Sequence, residues 1–301
     1  MALSNVALPG KASIGAQVGA YVALTKPRII ELLLITTLPT MIVAQRGLPP
    51  VWLMAATLLG GALAAGGANA INMFIDRDID KLMHRTSKRP LVTGAVTPRS
   101  ALIFAITLEV LAFVELWAWV NLLSALLAVS ATLFYVFVYT LWLKRTSSQN
   151  IVIGGAAGAV PVLVGWAAVT DSLTWTPVVM FAIIFVWTPP HFWALAVKYK
   201  DDYQAASVPM LPAVATFTRT AWEILFYSVL LAAVSLLLAA VANLGVIYVV
   251  SASVLGVVFV AMAVRLFRHQ TPKAAMQLFS YSITYLTLLF VFMAVDIFTK
   301  H

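Results

Sequence analysis

The sequence predicts an all-α, polytopic membrane protein with nine transmembrane helices around a central cavity. Three observations predict it. The 301 residues are 62% hydrophobic and only 10% charged, with a mean hydropathy of +0.97, a composition outside the range of water-soluble domains. Nine apolar stretches are long enough to span a bilayer, which takes about 20 residues per helix. Lys and Arg number 19, and a nine-span arrangement puts all of them except Arg46 and Lys300 on one side, as positive-inside bias requires.

The first 25 residues are weakly polar, with Gly10, Gly15, Gly19 and a single Lys11. They lack the Arg- and Ser-rich pattern of a mitochondrial transit peptide, and no cleavable signal is expected, which favours a bacterial plasma membrane. Spans follow over 28–46, 51–75, 100–119, 122–143, 150–169, 177–197, 221–241, 245–265 and 275–297. The pairs Thr97-Pro98, Thr176-Pro177 and Thr271-Pro272 read as helix starts, with Thr as cap and Pro in the first turn. Gly60-Gly61, Gly66-Gly67 and Gly154-Gly155 read as sites of close helix packing. The segments 76–99 and 198–220 exceed a tight helix connection, and long ordered loops commonly bind ligands. No low-complexity linker divides the chain, so a single domain is expected over 1–301. The charge bias orients the N-terminus and both long segments to the cytoplasm. It also makes the net charge of +8 a membrane signature rather than a nucleic-acid footprint. Zero Cys excludes disulfides, thiolate metal sites and iron–sulfur clusters.

Acids are scarce, and five of the 11 Asp and Glu residues lie in two short runs, Asp76-Arg-Asp78-Ile-Asp80 and Asp201-Asp202. Carboxylates at a membrane surface usually hold a cation or a polar substrate. Oxygen-only ligands suit Mg²⁺, which binds through carboxylates, water and substrate phosphates. Asn72, Asp76 and Asp80 are four residues apart, so each step turns about 40° and rises about 6 Å along a helix. All three therefore face one cavity, whereas Asp78 points away and is expected to pair with a neighbouring Arg or Lys. The same arithmetic puts His191, Lys198 and Asp202 on one stripe of the sixth span, about 16 Å long, if Pro189-Pro190 leaves the helix regular.

Asp76, Asp80 and Asp202 are the candidate metal ligands, with Asn72 positioning metal or diphosphate. Lys26, Arg28, Arg85, Arg89, Lys144 and Lys198 are candidates for the outer phosphate oxygens; the bland alternative is a solvated basic loop. Glu109, halfway along the third span, is expected to be hydrogen-bonded within the bundle.

The run Asn72-x3-Asp76-x3-Asp80, followed by Arg85-Thr86-Ser87-Lys88-Arg89-Pro90, resembles the UbiA-type intramembrane prenyltransferase superfamily. Lys26-Pro27-Arg28, Thr188-Pro-Pro-His191-Phe-Trp, Lys198-Tyr-Lys-Asp-Asp202-Tyr203 and Val208-Pro-Met-Leu-Pro212 look like its heme-farnesylating branch. The resemblance covers the first six spans and their loops. It implies Asn72, Asp76, Asp80, Lys198 and Asp202 as catalytic residues, Mg²⁺ as cofactor, and farnesyl diphosphate, heme b and the lipid bilayer as partners. The implied reaction moves the farnesyl group to a heme vinyl, giving heme O and diphosphate. A heme A synthase or terminal oxidase assembly is the implied recipient. His191 becomes the candidate for binding heme iron or a propionate, and Arg28, Arg85 and Arg89 are alternatives for the propionates.

Two departures from the broader superfamily stand out. Met73 replaces an Asp, and Lys198-x3-Asp202 replaces Asp-x3-Asp. They imply weaker metal binding, with Lys198 contacting diphosphate directly. Two other readings remain: an aromatic, quinone-precursor prenyltransferase and a cation-coupled transporter. Transporter sites lie near the bilayer midplane, whereas these carboxylates lie at helix ends among cations.

Overall fold

The computed structural model describes residues 13–299, apart from the side chains of residues 28, 29 and 32–34. Its long helices are α1 (Ile14–Thr25), α2 (Pro27–Gln45), α3 (Val51–Ile75), α4 (Pro98–Trp119), α5 (Leu122–Thr146), α6 (Asn150–Thr170), α7 (Trp175–Lys198), α8 (Phe217–Val241), α9 (Val246–His269) and α10 (Pro272–Thr299). No strand occurs among the described residues. Eight of these helices, α3 to α10, are long and apolar enough to cross a membrane. The first expected span is helical as α2, of which Ile35–Gln45 is the described apolar part. The nine expected spans thus correspond to these eight helices and α2.

The weakly polar leader is not featureless. Ser13 Oγ accepts from the Ala16 amide at 3.3 Å and opens α1, which packs on α3. Lys26 ends it. A residue before proline is pushed out of the right-handed helical region, and Lys26 adopts φ 53°, ψ 63°. Pro27 then occupies the first turn of α2, where a missing amide proton does no harm. The resulting corner aims the Lys26 ammonium at α3.

The glycines pack as expected. A Cβ on Gly67 would lie 2.6 Å from Glu109 Oε1 and 3.0 Å from the Ala105 carbonyl oxygen, and one on Gly155 would lie 2.9 Å from Thr188 Cβ. Glu109 accepts from Thr132 Oγ1 at 3.1 and 3.2 Å, the intrabundle role expected of it. Thr97 and Thr271 cap α4 and α10 by accepting from the Ser100 and Ala274 amides, each at 3.2 Å. Thr176 does not cap. Helix α7 starts at Trp175, and Thr176 Oγ1 donates instead to the Val241 carbonyl at 3.4 Å.

Two departures from regular helix decide the site. Residues Phe134–Leu143 of α5 adopt a wider π-helical wind, a rare form associated with functional sites. Helix α7 runs unbroken through Pro189 and Pro190 but stops at Lys198, and Tyr199 (φ −107°, ψ 25°) redirects the chain into a short helix, Lys200–Ala205. The predicted stripe of His191, Lys198 and Asp202 is therefore broken at its lower end.

Trp193, Tyr248, Phe259, Tyr285 and Phe290 are fully buried and form the apolar core around α7 to α10. Trp117, Phe137, Trp142, Trp222 and Val257 are exposed, as lipid-facing positions are. The loops 76–97 and 199–216 meet at one end of the bundle. There Asp202 accepts from the His84 amide at 3.2 Å and the Arg85 amide at 3.0 Å.

Candidate active site

Helix α3 ends at Ile75, yet the register of its acidic face continues. The Asp76 amide donates to the Asn72 carbonyl and the Asp80 amide to the Asp76 carbonyl, both at 2.9 Å. Asn72, Asp76 and Asp80 are consequently on one side, at 3%, 0% and 1% exposure. Charged groups buried this deeply need partners, and distant segments supply them. Lys144 pairs with Asp76, Arg89 with Asp80 at 2.6 Å, and Lys26 Nζ donates to Asn72 Oδ1 at 2.8 Å. Asn72 Nδ2 in turn donates to Asp76 Oδ2 at 2.8 Å and to Thr140 Oγ1 at 3.1 Å.

The π-helical wind makes this possible. Thr140 Oγ1 donates to the carbonyl of Tyr135, five residues earlier, at 2.8 Å. Tyr135 and Tyr139 stack at 5.4 Å, and Lys144 follows directly after. Sequence reasoning missed all three: Thr140 shares a regular helix face with Lys144 four residues on and could have been flagged, whereas Tyr135 and Tyr139 would point elsewhere on a regular helix.

Asp78 is exposed and held by Arg145 through two bonds, at 2.7 and 2.8 Å. This is the expected partner type, found 67 residues away. The Arg145 guanidinium keeps the Asp78 carboxyl down at about 2, against the smaller opposing effect of partial burial. Arg145 also lies 3.8 Å from Asp76 Oδ1, so it joins the buried site to a surface groove of about 480 Å³ lined by Ile75, Arg77, Asp78, Lys81, Leu141 and Arg145. Arg145 is a site residue that its place beside Lys144 could have flagged.

Lys26, Arg89, Lys144 and Arg145 face Asp76, Asp78 and Asp80, leaving an excess of positive charge suited to an anion. Burial, with help from Arg89 and Lys144, pulls the Lys26 ammonium down to about 7, while Asp76 and Asp80 act in the other direction. One acceptor is left over: Asp76 Oδ1 is sealed from solvent without a hydrogen bond.

The expected triad of Asp76, Asp80 and Asp202 is not assembled. No group of three or more His, Cys, Asp or Glu residues among the described ones is close enough to hold a metal ion. The reason is physical: the Asp202 carboxylate is engaged by two backbone amides of the other loop. Arg85 and Lys198 are exposed and flank the Tyr199 ring at 5.4 and 5.6 Å, outside the buried network. Beneath them Tyr203 is buried, and burial pushes its phenol up despite Arg85 nearby. The Arg28 side chain lies outside the described residues.

His191 occupies a different position from its expected stripe-mates. It is 7% exposed, stacked on Trp187 and Phe279 at 4.2 and 4.6 Å, with Nδ1 2.6 Å from Ser282 Oγ on α10.

Comparison with known proteins agrees with this architecture. The model of the UbiA prenyltransferase family matches residues 33–294. A protoheme IX farnesyltransferase from Renibacterium salmoninarum is 52% identical over 293 residues, covering 96% of this chain and 92% of that protein. One from Parafrankia sp. is 55% identical over 279 residues, covering 91% and 89%. Among solved structures, a digeranylgeranylglyceryl phosphate synthase superposes with a TM-score of 0.78 at 16% identity, over 94% of this chain and 99% of that one. A UbiA homolog from Archaeoglobus fulgidus bound to GPP and Mg²⁺ gives a TM-score of 0.64 at 18% identity, over 91% and 99%. These two likenesses are of fold. With the family match spanning nearly all of the helical bundle and relatives above 50% identity covering almost the whole chain, the protein belongs to the UbiA prenyltransferase family.

Proposed function

We propose that this protein transfers the farnesyl group of farnesyl diphosphate to a vinyl group of heme b, giving heme O and diphosphate. The observation that carries the chemistry is the buried Asn72–Asp76–Asp80 face, ringed by Lys26, Arg89, Lys144 and Arg145, with one carboxylate oxygen that accepts no hydrogen bond. The relatives that match nearly the whole chain carry this activity in their names.

The four cations bind the diphosphate and stabilise the charge that grows on it as the allylic C–O bond breaks and its electron pair leaves with the diphosphate. The vinyl carbon then attacks the allylic cation. Water adds to the resulting carbocation and loses a proton, leaving a hydroxyethylfarnesyl side chain. Arg85 and Lys198, at the rim beside Tyr199, meet the outer phosphate oxygens or a heme propionate. His191 binds the heme.

The donor set fits one Mg²⁺ rather than two. Asp76 Oδ1 is the hard oxygen that accepts no hydrogen bond, Asp80 lies one helical step beyond it, and Asp202 contributes by docking the two loops. Asp76 and Asp80 would hold a Mg²⁺ sparingly, and water and substrate phosphate would complete its ligands. When bound, it supplies additional neutralisation of the leaving diphosphate.

The protein is an integral membrane protein, and its relatives are bacterial. We place the site at the cytoplasmic face of the plasma membrane, because the loops that build it carry the basic residues. Heme O would pass from there to a heme A synthase or a terminal oxidase assembly. The test is incubation of purified protein with heme b, farnesyl diphosphate and Mg²⁺, followed by mass spectrometry of the porphyrins. Heme O is the expected product; its absence, with prenylation of 4-hydroxybenzoate in a parallel reaction, would overturn the reading.

A further inference from the structure

We propose that Ser282 is a positioning residue for heme: it holds His191 in the tautomer whose Nε2 lone pair is free to bind the heme iron. The inference rests on the reading of His191 as the heme-binding residue and deepens it.

Ser282 Oγ lies 2.6 Å from the Phe279 carbonyl oxygen and 2.6 Å from His191 Nδ1. A serine hydroxyl has one proton and two acceptor lone pairs, and a carbonyl oxygen can only accept. The proton therefore goes to Phe279, and towards His191 the hydroxyl accepts. That requires a proton on Nδ1. In a neutral imidazole the lone pair is then on Nε2.

The same residue fixes the ring from a second direction. The Ser282 carbonyl accepts from Trp187 Nε1 at 2.8 Å, and Trp187 stacks on His191 with an interplanar angle of 19°. Phe279, one helical turn before Ser282, stacks at 29°, and Phe192 meets the ring edge-on at 5.0 Å. Both the tautomer and the plane of the imidazole are thus set before any ligand arrives. Among the described residues, Nε2 itself has no hydrogen-bond partner. The residue as a whole keeps a small exposed fraction, 7%. A hydrogen bond to the far nitrogen of a metal-binding histidine is the usual device for orienting it, and its loss lowers affinity about 10–100-fold.

Two measurements on the full-length protein in detergent test the assignment. The first is ¹⁵N NMR of histidine-labelled, heme-free protein, with H191A identifying the His191 signals. The expected result is a protonated Nδ1 and an unprotonated Nε2; the reverse tautomer would overturn the proposal whatever heme does. The second is titration with ferric heme b, with the iron–imidazole stretch read by resonance Raman after reduction. H191A should lose that stretch. S282A should keep it at a shifted frequency and bind heme at least about tenfold more weakly, while S282T, which retains the hydroxyl, should match the parent. An unchanged heme spectrum in H191A sinks the His191 reading itself. Loss of the stretch in H191A, with S282A identical to the parent in affinity and frequency, sinks only the role of Ser282. If S282A does not fold, the tautomer measurement decides.

Discussion

Asp80 and Arg89 form an ion pair that separates a structural role from a chemical one. Their atoms approach to 2.6 Å, and the side chains are 2% and 20% exposed. At an effective dielectric of about 20, such a contact attracts by about 4–6 kcal/mol before desolvation is counted. Desolvation removes most of this, so the pair as a whole is close to neutral for stability, whereas deleting one partner strands the other and costs about 3–5 kcal/mol. Asp80→Asn should fall at the lower end, about 3 kcal/mol, because Arg89 keeps a route to water. That corresponds to a fall in melting temperature of about 5 °C.

Replacing both partners, as Asp80→Asn with Arg89→Met, should recover most of this loss. Activity should behave differently. Losing one group that stabilises charge in the transition state lowers kcat/KM by about 10²–10³-fold, and the double variant should remain at or below the level of the single ones. The assay is heme O formation under fixed farnesyl diphosphate and Mg²⁺, alongside thermal unfolding in the same detergent. Recovery of activity together with stability in the double variant would show that the pair is a strut and would refute its catalytic role.

Lys26, with its ammonium held at about 7, carries charge below neutral pH and loses it above. Affinity for farnesyl diphosphate should therefore fall as pH rises from 6 to 8.5, and Lys26→Arg, which stays charged, should lack that inflection; parallel profiles would reject the idea. For folding the sign is opposite. The unfolded chain keeps this proton up to the ordinary lysine value near 10.5, so Lys26 penalises the folded state below pH 7 and that penalty shrinks as pH rises towards 10.5. A variant without the ammonium, Lys26→Met, should accordingly show a smaller gain in stability over that window. Asp202→Ala removes two loop-to-loop hydrogen bonds and should cost about 1–3 kcal/mol. Hydrogen exchange should quicken in 79–89 and 199–206, and unaltered exchange there would contradict the docking role. Gly67→Ala drives a methyl group into Glu109 and the α4 backbone, and a loss of about 1–3 kcal/mol is expected; thermal unfolding provides the check. Chelation of Mg²⁺ should abolish turnover while leaving the heme spectrum of the protein intact, since the proposed heme and metal sites share no ligand.

Much of this protein is legible in its residues. The bilayer imposes length and apolarity on every span, so hydropathy located α3 to α10, and proline with threonine marked the starts of α4 and α10. Four-residue spacing put Asn72, Asp76 and Asp80 on one side, because the i to i+4 bonds persist even after α3 ends. Asp78 read as an outward residue for the same reason. What spacing along one helix cannot reveal is its partners. Lys26, Arg89 and the adjacent Lys144 and Arg145 converge from three places in the chain, and their meeting depends on a left-handed corner at Lys26 and a π-helical wind in α5, neither of which has a periodic signature. The predicted stripe of His191, Lys198 and Asp202 failed because Tyr199 ends the helix. The Asp202 carboxylate instead meets two backbone amides of the other loop. The sequence by itself determined the class of the protein and the acidic face of its site, since both follow from local periodicity and the demands of lipid. Only the tertiary structure decided which charges neutralise that face, which carboxylate oxygen accepts no hydrogen bond, and that His191 is oriented by a serine 91 residues away, because those depend on where separate helices come to rest.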